Sequence, residues 1–168
     1  MILSIENLLE LTRKLEIIVE YRDLHHEQHP GLDAYADAEK KLIVLDISLK
    51  DRLRHYKCVL AEEIGHILFP PRPGHVAYHM RDYQKLDYNN RSNIRAIVAQ
   101  DERMALSWAA NILIPDSELE TAIKNGVDSV YTLCEWFDVE VWFMLIRLDL
   151  YKKKFGKNGE KNICKDII

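Results

Sequence analysis

The pattern of apolar positions predicts a first helix followed by three short strands. In residues 4–16, leucines recur at helical spacing and form one face of an amphipathic helix: Leu8, Leu11 and Leu15. Three short runs that follow are β-branched or alternate in polarity, which predicts strands over residues 17–21, 32–36 and 41–47. In the third run, alternation places Leu42 and Val44 opposite to Ile43 and Leu45. The polar residues 25–31 end in Pro-Gly and predict a loop.

After residue 47 the spacing becomes helical and is interrupted by prolines. A long helix is predicted from its cap, Ser48, to a stop at Pro70. Its predicted apolar stripe is Leu53, Leu60, Ile64 and Ile67. Residues 72–90 are polar, rich in Tyr and His and without clear periodicity, which predicts a mobile loop or cleft wall. Four more helices are predicted over residues 92–114, 116–125, 127–137 and 139–154.

These elements predict a single α+β domain over residues 1–155, in which a small N-terminal β-sheet packs on a helical bundle. Residues 156–168 form a predicted Lys-rich C-terminal tail. The 168 residues, 48% of them hydrophobic, suffice for one core. Three dispersed cysteines argue against a disulfide framework. No apolar run approaches membrane length and the N-terminus lacks signal-peptide features, so we expect a cytoplasmic protein without a membrane partner.

The charge of the chain disfavours direct binding of nucleic acid. The net charge is −4 and the pI is near 6.0. Residues 135–148 faintly resemble a helix-turn-helix with Asp138 as the turn. A recognition helix presents basic or amide side chains, whereas this one offers Glu140, aromatic residues and the lone base Arg147. We therefore expect this segment to pack against the core.

The strongest chemical pattern is Glu62-Glu63-Ile64-Gly65-His66. On a helix, Glu62 and His66 share one face and can bind one metal ion, while Glu63 can accept a proton from the attacking water. The flanking residues are mostly apolar, and buried charges of this kind need a metal or a partner to neutralise them. Gly65 weakens a helix by about 1 kcal/mol relative to Ala. Its presence is explained if a second backbone packs close by, beside His66. The alternative is a pair of glutamates on an ordinary solvated helix face.

A third ligand is predicted from the helix that begins at residue 92. Glu102, Ala105 and Ala109 fall near one face of that helix. Small residues after a carboxylate permit close helix approach, so Glu102 could reach a metal held by Glu62 and His66. The alternative is an ordinary helix whose alanines serve packing alone.

The other histidines and bases lack a comparable pattern. We expect solvated loop positions for His25, His26, His29, His75 and His79, and a solvated helix face for Arg52, Arg54 and Lys57. Within residues 72–90, Tyr78 or His79 could stabilise a transition-state oxyanion.

These residues together resemble the ImmA/IrrE metallopeptidases. The first block, Leu60-Ala61-Glu62-Glu63-Ile64-Gly65-His66, is similar to the family pattern A-H-E-L-G-H. The second, from Glu102 to Pro115, is similar to E-x-x-A-x-x-F-A-x-x-L-L-x-P. The resemblance covers residues 16–150. The chain departs from the pattern where Trp108 replaces Phe and Glu62 replaces the first ligand His, giving an E-E-x-x-H motif.

The resemblance implies a zincin-like fold and a metal-dependent peptidase. Its substrate would be a protein, typically a helix-turn-helix repressor of a mobile element or stress regulon. Glu62, His66 and Glu102 would bind the metal and Glu63 would be the catalytic base. Zinc is the expected metal, and manganese or another divalent metal is the alternative because the additional carboxylate favours harder ions. The alternative function is a non-catalytic antirepressor that binds the repressor without hydrolysing it.

Overall fold

The computed structural model of the chain describes residues 2–28, 30–70, 77–80 and 92–159. Residues 77–80, 92–101 and 156–159 are described by their backbone alone. The elements are, in chain order, α1 (Ile5–Lys14), β1 (Ile18–Arg22), α2 (Leu24–Glu27), β2 (Leu32–Asp37), β3 (Leu42–Asp46), a 3₁₀ turn (Ile47–Asp51), α3 (Leu53–Leu68), β4 (Ala77–Met80), α4 (Ser92–Leu113), α5 (Asp116–Lys124), α6 (Val130–Phe137) and α7 (Val141–Gly159). The predicted α+β class, a small sheet packed on helices, is confirmed.

The sheet has the strand order β1-β3-β2-β4. β1 runs parallel to β3, while β2 is antiparallel to both β3 and β4. The predicted alternation in β3 is confirmed, because Ile43 and Leu45 lie in the main core and Leu42 and Val44 pack in a second, smaller cluster. The sheet therefore has apolar contacts on both faces.

The helix α3 lies at the centre of the fold. It packs against α4, α1, β2 and β3, and every residue from Tyr56 to His66 is buried. The predicted apolar stripe is wrong at Leu53, which is 62% exposed. Further along the helix, it includes fewer residues than are buried. Lys57 is also buried rather than solvated, and its Nζ donates to the Phe137 carbonyl at 2.9 Å. A helix surrounded on most sides can hold polar residues only where specific partners meet them.

Several predicted boundaries are corrected by local hydrogen bonding. Ser48 does not cap α3. It lies in the 3₁₀ turn, where its N–H donates to Asp46 Oδ1 at 2.9 Å. The helix α2 occupies part of the predicted loop at 25–31, capped by the Asp23 side chain. The predicted helix 127–137 begins at Val130, after the cap Ser129.

Two predicted loop or tail segments also contain regular structure. The strand β4 lies within residues 72–90, which were predicted to lack it, and the rest of that segment falls outside the described residues. The helix α7 continues to Gly159, past the predicted domain boundary at 155. Residues 160–168 of the predicted tail fall outside the described part of the chain.

The segment that resembles a helix-turn-helix packs against the core, as expected. Asp138 adopts a left-handed conformation with φ 52° and forms the turn between α6 and α7. Arg147 is buried, and its guanidinium donates to the Ile114 carbonyl at 2.7 Å and to Asp116. The base that a DNA contact would need is thus used inside the protein. Across the described residues, no helix combines the length and apolar character needed to cross a membrane.

Asp116→Ala should destabilise the fold by about 3 kcal/mol, because it removes the carboxylate that compensates the buried Arg147. Burial alone would raise the pKa of Asp116, but hydrogen bonds and charge from Lys154 and Arg147 lower it overall. The stabilisation is therefore present above the unfolded-state pKa and lost as pH falls through the lower folded-state pKa. Urea unfolding of both proteins over a pH series measures this.

Lys154→Ala is the matched control, since Lys154 contacts the same carboxylate from an exposed position. It should cost less than about 1 kcal/mol. A cost for Asp116→Ala as small as that of the control would contradict the role of the buried pair.

Candidate metal centre

Three predicted ligands converge between α3 and α4. One ligand atom from each of Glu62, His66 and Glu102 lies within 4.8 Å of the other two. His66 Nε2 is 3.4 Å from Glu102 Oε2 and 3.9 Å from Glu62 Oε1. Glu62 and His66 come from successive turns of α3, and Glu102 comes from the facing helix. This group could hold a metal ion.

A close contact of the two helices brings Glu102 to His66. A Cβ on Gly65 would lie 2.6 Å from the Ala105 carbonyl oxygen, so only glycine permits the observed approach. Ala105 and Ala109 are fully buried on the face of α4 that meets α3. The prediction that Gly65 marks a close backbone approach, and that small residues follow Glu102 on its face, is confirmed.

The dimensions and donors of the group fit a divalent ion. Bonds of about 2.0–2.2 Å to a tetrahedral ion place ligand atoms roughly 3.3–3.6 Å apart. The separation of His66 and Glu102 falls in this range, and that of His66 and Glu62 is slightly longer. One imidazole and two carboxylates suit zinc, and the second carboxylate also suits harder ions such as manganese.

The group is buried and strongly negative. Glu62, Glu63 and His66 are each at most 3% exposed, whereas the Glu102 side chain is 22% exposed. Burial alone would lower the pKa of His66, but its hydrogen bond to Glu62 and the charges of Glu63, Glu102 and Glu62 raise it to about 9. Three carboxylates around one imidazole form an environment that stabilises positive charge. A proton or a divalent cation meets this requirement.

Glu63 lies beside the ligands without belonging to the ligand group. It is fully buried, and its charge is one of those that raise the pKa of His66. It follows Glu62 directly on α3, so its side chain points about 100° away from that of Glu62 around the helix. Glu63 is therefore close enough to act electrostatically at the centre, and its predicted catalytic role stays a prediction.

Tyr78 and His79 lie on β4, not in a structureless loop. The Cα atoms of Tyr78 and His79 pair with those of Tyr35 and Ala34 on β2. Their side chains fall outside what the structure describes, so their predicted oxyanion role stays a prediction. His75 lies outside the described residues.

A second buried polar group, around Asp33, was not predicted from the sequence. His25 is wrong as a solvated loop residue, because its Nε2 lies 3.1 Å from Asp33 Oδ1. His55 and Arg52 contact the same carboxylate. His26 is exposed, as predicted, and His29 lies outside the described residues. An aspartate inside the apolar run Leu32–Asp37 was the available signal.

Family models, curated proteins and solved structures give no match to the chain.

Glu62→His should raise zinc affinity by about tenfold, or about 1.4 kcal/mol. Histidine spans the same gap to His66 on α3, and zinc prefers an imidazole to a second carboxylate more than manganese does. Zinc and manganese affinities of both proteins, measured by competition with a chelator, should diverge in favour of zinc. Unchanged zinc affinity in a folded variant would mean that position 62 does not face the metal.

Proposed function

We propose that the protein is a metal-dependent peptidase with its active centre between α3 and α4. The observation that carries this proposal is the convergence of Glu62, His66 and Glu102, with the buried Glu63 beside them. Buried acids lose their hydration, and a cation or hydrogen-bond partners must compensate their charge. A cation-binding group next to one further carboxylate is the arrangement that metal-assisted hydrolysis uses.

The proposal gives each residue one role. Glu62, His66 and Glu102 hold the cation, and Gly65 sets the distance between the helices that carry them. Glu63 accepts a proton from the attacking water and later delivers it to the leaving amine. When bound, the cation supplies Lewis-acid activation of the water and of the scissile carbonyl. We propose zinc, since His66 provides nitrogen and carboxylates are ordinary zinc ligands, with manganese as the alternative ion.

A protein substrate is supported by the resemblance to ImmA/IrrE metallopeptidases. Both sequence blocks that carry the resemblance meet at the centre, since His66 ends the first and Glu102 begins the second. By that resemblance, we propose a helix-turn-helix repressor as the substrate, whose cleavage would relieve repression. The buried Arg147 and the acidic pI agree with a protein partner rather than DNA.

Glu62 favours a second candidate, the non-catalytic antirepressor. Two carboxylates and one imidazole leave a zinc centre about neutral, and such a centre acidifies water less than one with two histidines. The same fold could then bind the repressor and relieve repression without hydrolysis.

Metal analysis and a cleavage assay together test the proposal. Protein purified without added metal should contain about one equivalent of zinc or manganese. It should convert a helix-turn-helix repressor into fragments that intact-mass spectrometry detects, and a chelator should stop the reaction until metal is restored. Repressor that stays intact while its operator is released would favour the antirepressor. A protein that binds neither zinc nor manganese would overturn the peptidase.

A further inference from the structure

A second group of buried charges surrounds Asp33, which is fully buried on β2. Asp33 Oδ1 lies 3.1 Å from His25 Nε2 and accepts a hydrogen bond from Arg52 Nη2 at 3.1 Å. Asp33 Oδ2 lies 2.9 Å from His55 Nε2. One carboxylate thus contacts α2, the residue that precedes α3, and the first turn of α3. Losing any of these three partners would leave the buried charge of Asp33 less compensated. The carboxylate therefore holds the three side chains in place.

A bulge in the sheet places Asp33 in this position. The pairing of β2 with β4 shifts register between Leu32 and Ala34, and Asp33 is the residue between them. Strict alternation would put Leu32 and Ala34 on the same face, yet Leu32 packs in the smaller cluster and Ala34 in the main core. Bulges re-aim side chains in this way. Here all three consecutive residues are buried, and one of them is charged.

Asp33 anchors the start of α3 on the side of the sheet. The residue before α3 is Arg52, and it makes no side-chain cap to the helix. Instead, Arg52 and His55 both reach across to Asp33. A carboxylate near the start of a helix is also favourable to the helix dipole. The strand β2 therefore anchors one side of the start of α3 through a single side chain, Asp33. On the other side, Arg54 in the same turn binds Asp138.

His55 lies on the same face of α3 as the two ligands. It precedes Glu62 by seven residues and His66 by eleven, close to two and three helical turns. A rotation of α3 about its axis that turned Glu62 and His66 away from Glu102 would also turn His55 away from Asp33. The hydrogen bond of His55 to Asp33 opposes such a rotation at one end of the helix.

We infer that Asp33 and His55 are positioning residues for the metal centre, and that they hold α3 at the rotation at which Glu62 and His66 face Glu102. This inference rests on the proposed function of the centre as a metal site. It adds that affinity for the ion depends on a hydrogen bond two turns away from the nearest ligand.

The test compares zinc affinity, by chelator competition, in the full chain and in two variants at His55. His55→Ala removes the hydrogen bond to Asp33 but leaves Asp33 with Arg52 and His25, and it should weaken zinc binding by about tenfold. His55→Gln should largely restore affinity, because its amide nitrogen can reach where Nε2 lies. In the cobalt-loaded protein, the Ala variant should change the visible absorption spectrum and the Gln variant should not.

Asp116→Ala is the stability control, since Asp116 pairs with Arg147, away from α3. It should lower stability without changing zinc affinity. If wild type binds zinc and His55→Ala binds it equally well, or no more weakly than the control, the positioning role is overturned and the metal site stands. If wild type binds no zinc, the metal site and this inference both fall.

Discussion

Glu63→Gln should slow cleavage of the protein substrate by about 10²–10⁴-fold while zinc stays bound. Glutamine has the size of glutamate and keeps an acceptor oxygen, but it cannot take a proton from water. Glu63 is fully buried beside the ligands, so water cannot readily replace its carboxylate there. The measurements are the cleavage rate by mass spectrometry, the zinc affinity by chelator competition, and the binding affinity for the repressor.

His66→Ala is the comparison that separates the roles of the two residues. It removes the nitrogen that Glu62 and Glu102 both approach, so zinc binding and cleavage should be lost together. Glu63→Gln should lose cleavage alone. If repression is still relieved by the Gln variant while the repressor stays uncut, the peptidase proposal fails and the antirepressor stands.

The candidate ligands were predictable because helix spacing and residue size are local properties of the sequence. The interval between Glu62 and His66 fixes a shared face on α3, and the alanines after Glu102 mark a face suited to close approach. Gly65 supplied the third signal, since a helical glycine needs a reason outside its own helix. These three local signals define one contact between two helices, and the structure contains that contact.

The Asp33 group was not predictable by the same means. Its members lie on β2, α2 and the start of α3, and pairing between them depends on a bulge opposite β4. The polar run that ends in Pro-Gly predicts a loop position for His25, and alternation gives no partner to Asp33. The start of α3 was misjudged for a related reason. The Ser48 hydroxyl matches a capping pattern, but the Asp46 side chain stabilises a 3₁₀ turn there instead.

The burial of α3 also depends on contacts distant in sequence. Lys57 and Arg54 bind the turn between α6 and α7, through the Phe137 carbonyl and Asp138. On a helical wheel Lys57 faces away from His66, so α3 is held on one side by the sheet contact at Asp33 and on the other by this turn. Two of the three candidate ligands, Glu62 and His66, thus lie on a helix that is anchored on both sides, as a preorganised site requires.

Gly65→Ala should weaken zinc binding by tenfold or more, because α4 approaches α3 too closely at this position for a methyl group. The new Cβ would lie 2.6 Å from the Ala105 carbonyl oxygen and 3.0 Å from its carbonyl carbon and Cα. The first distance is about 1 Å shorter than ordinary van der Waals contact. The contacting atoms belong to the backbone of Ala105, so no change of side-chain rotamer relieves the clash. The helices α3 and α4 must move apart, and Glu102 moves away from His66 with them.

The effect of Gly65→Ala on stability combines two opposing contributions. Alanine improves helix propensity by about 1 kcal/mol over glycine, while overpacking costs about 1–3 kcal/mol, so a net loss of up to about 2 kcal/mol is expected. Gly126→Ala is the matched control. Its φ of 84° strains any side chain, but nothing lies within 4 Å of the added Cβ. It should destabilise the chain by about 1 kcal/mol and leave zinc affinity unchanged. If Gly65→Ala stabilised the protein and bound zinc as well as wild type, close packing of α3 on α4 could not be what brings Glu102 to the metal.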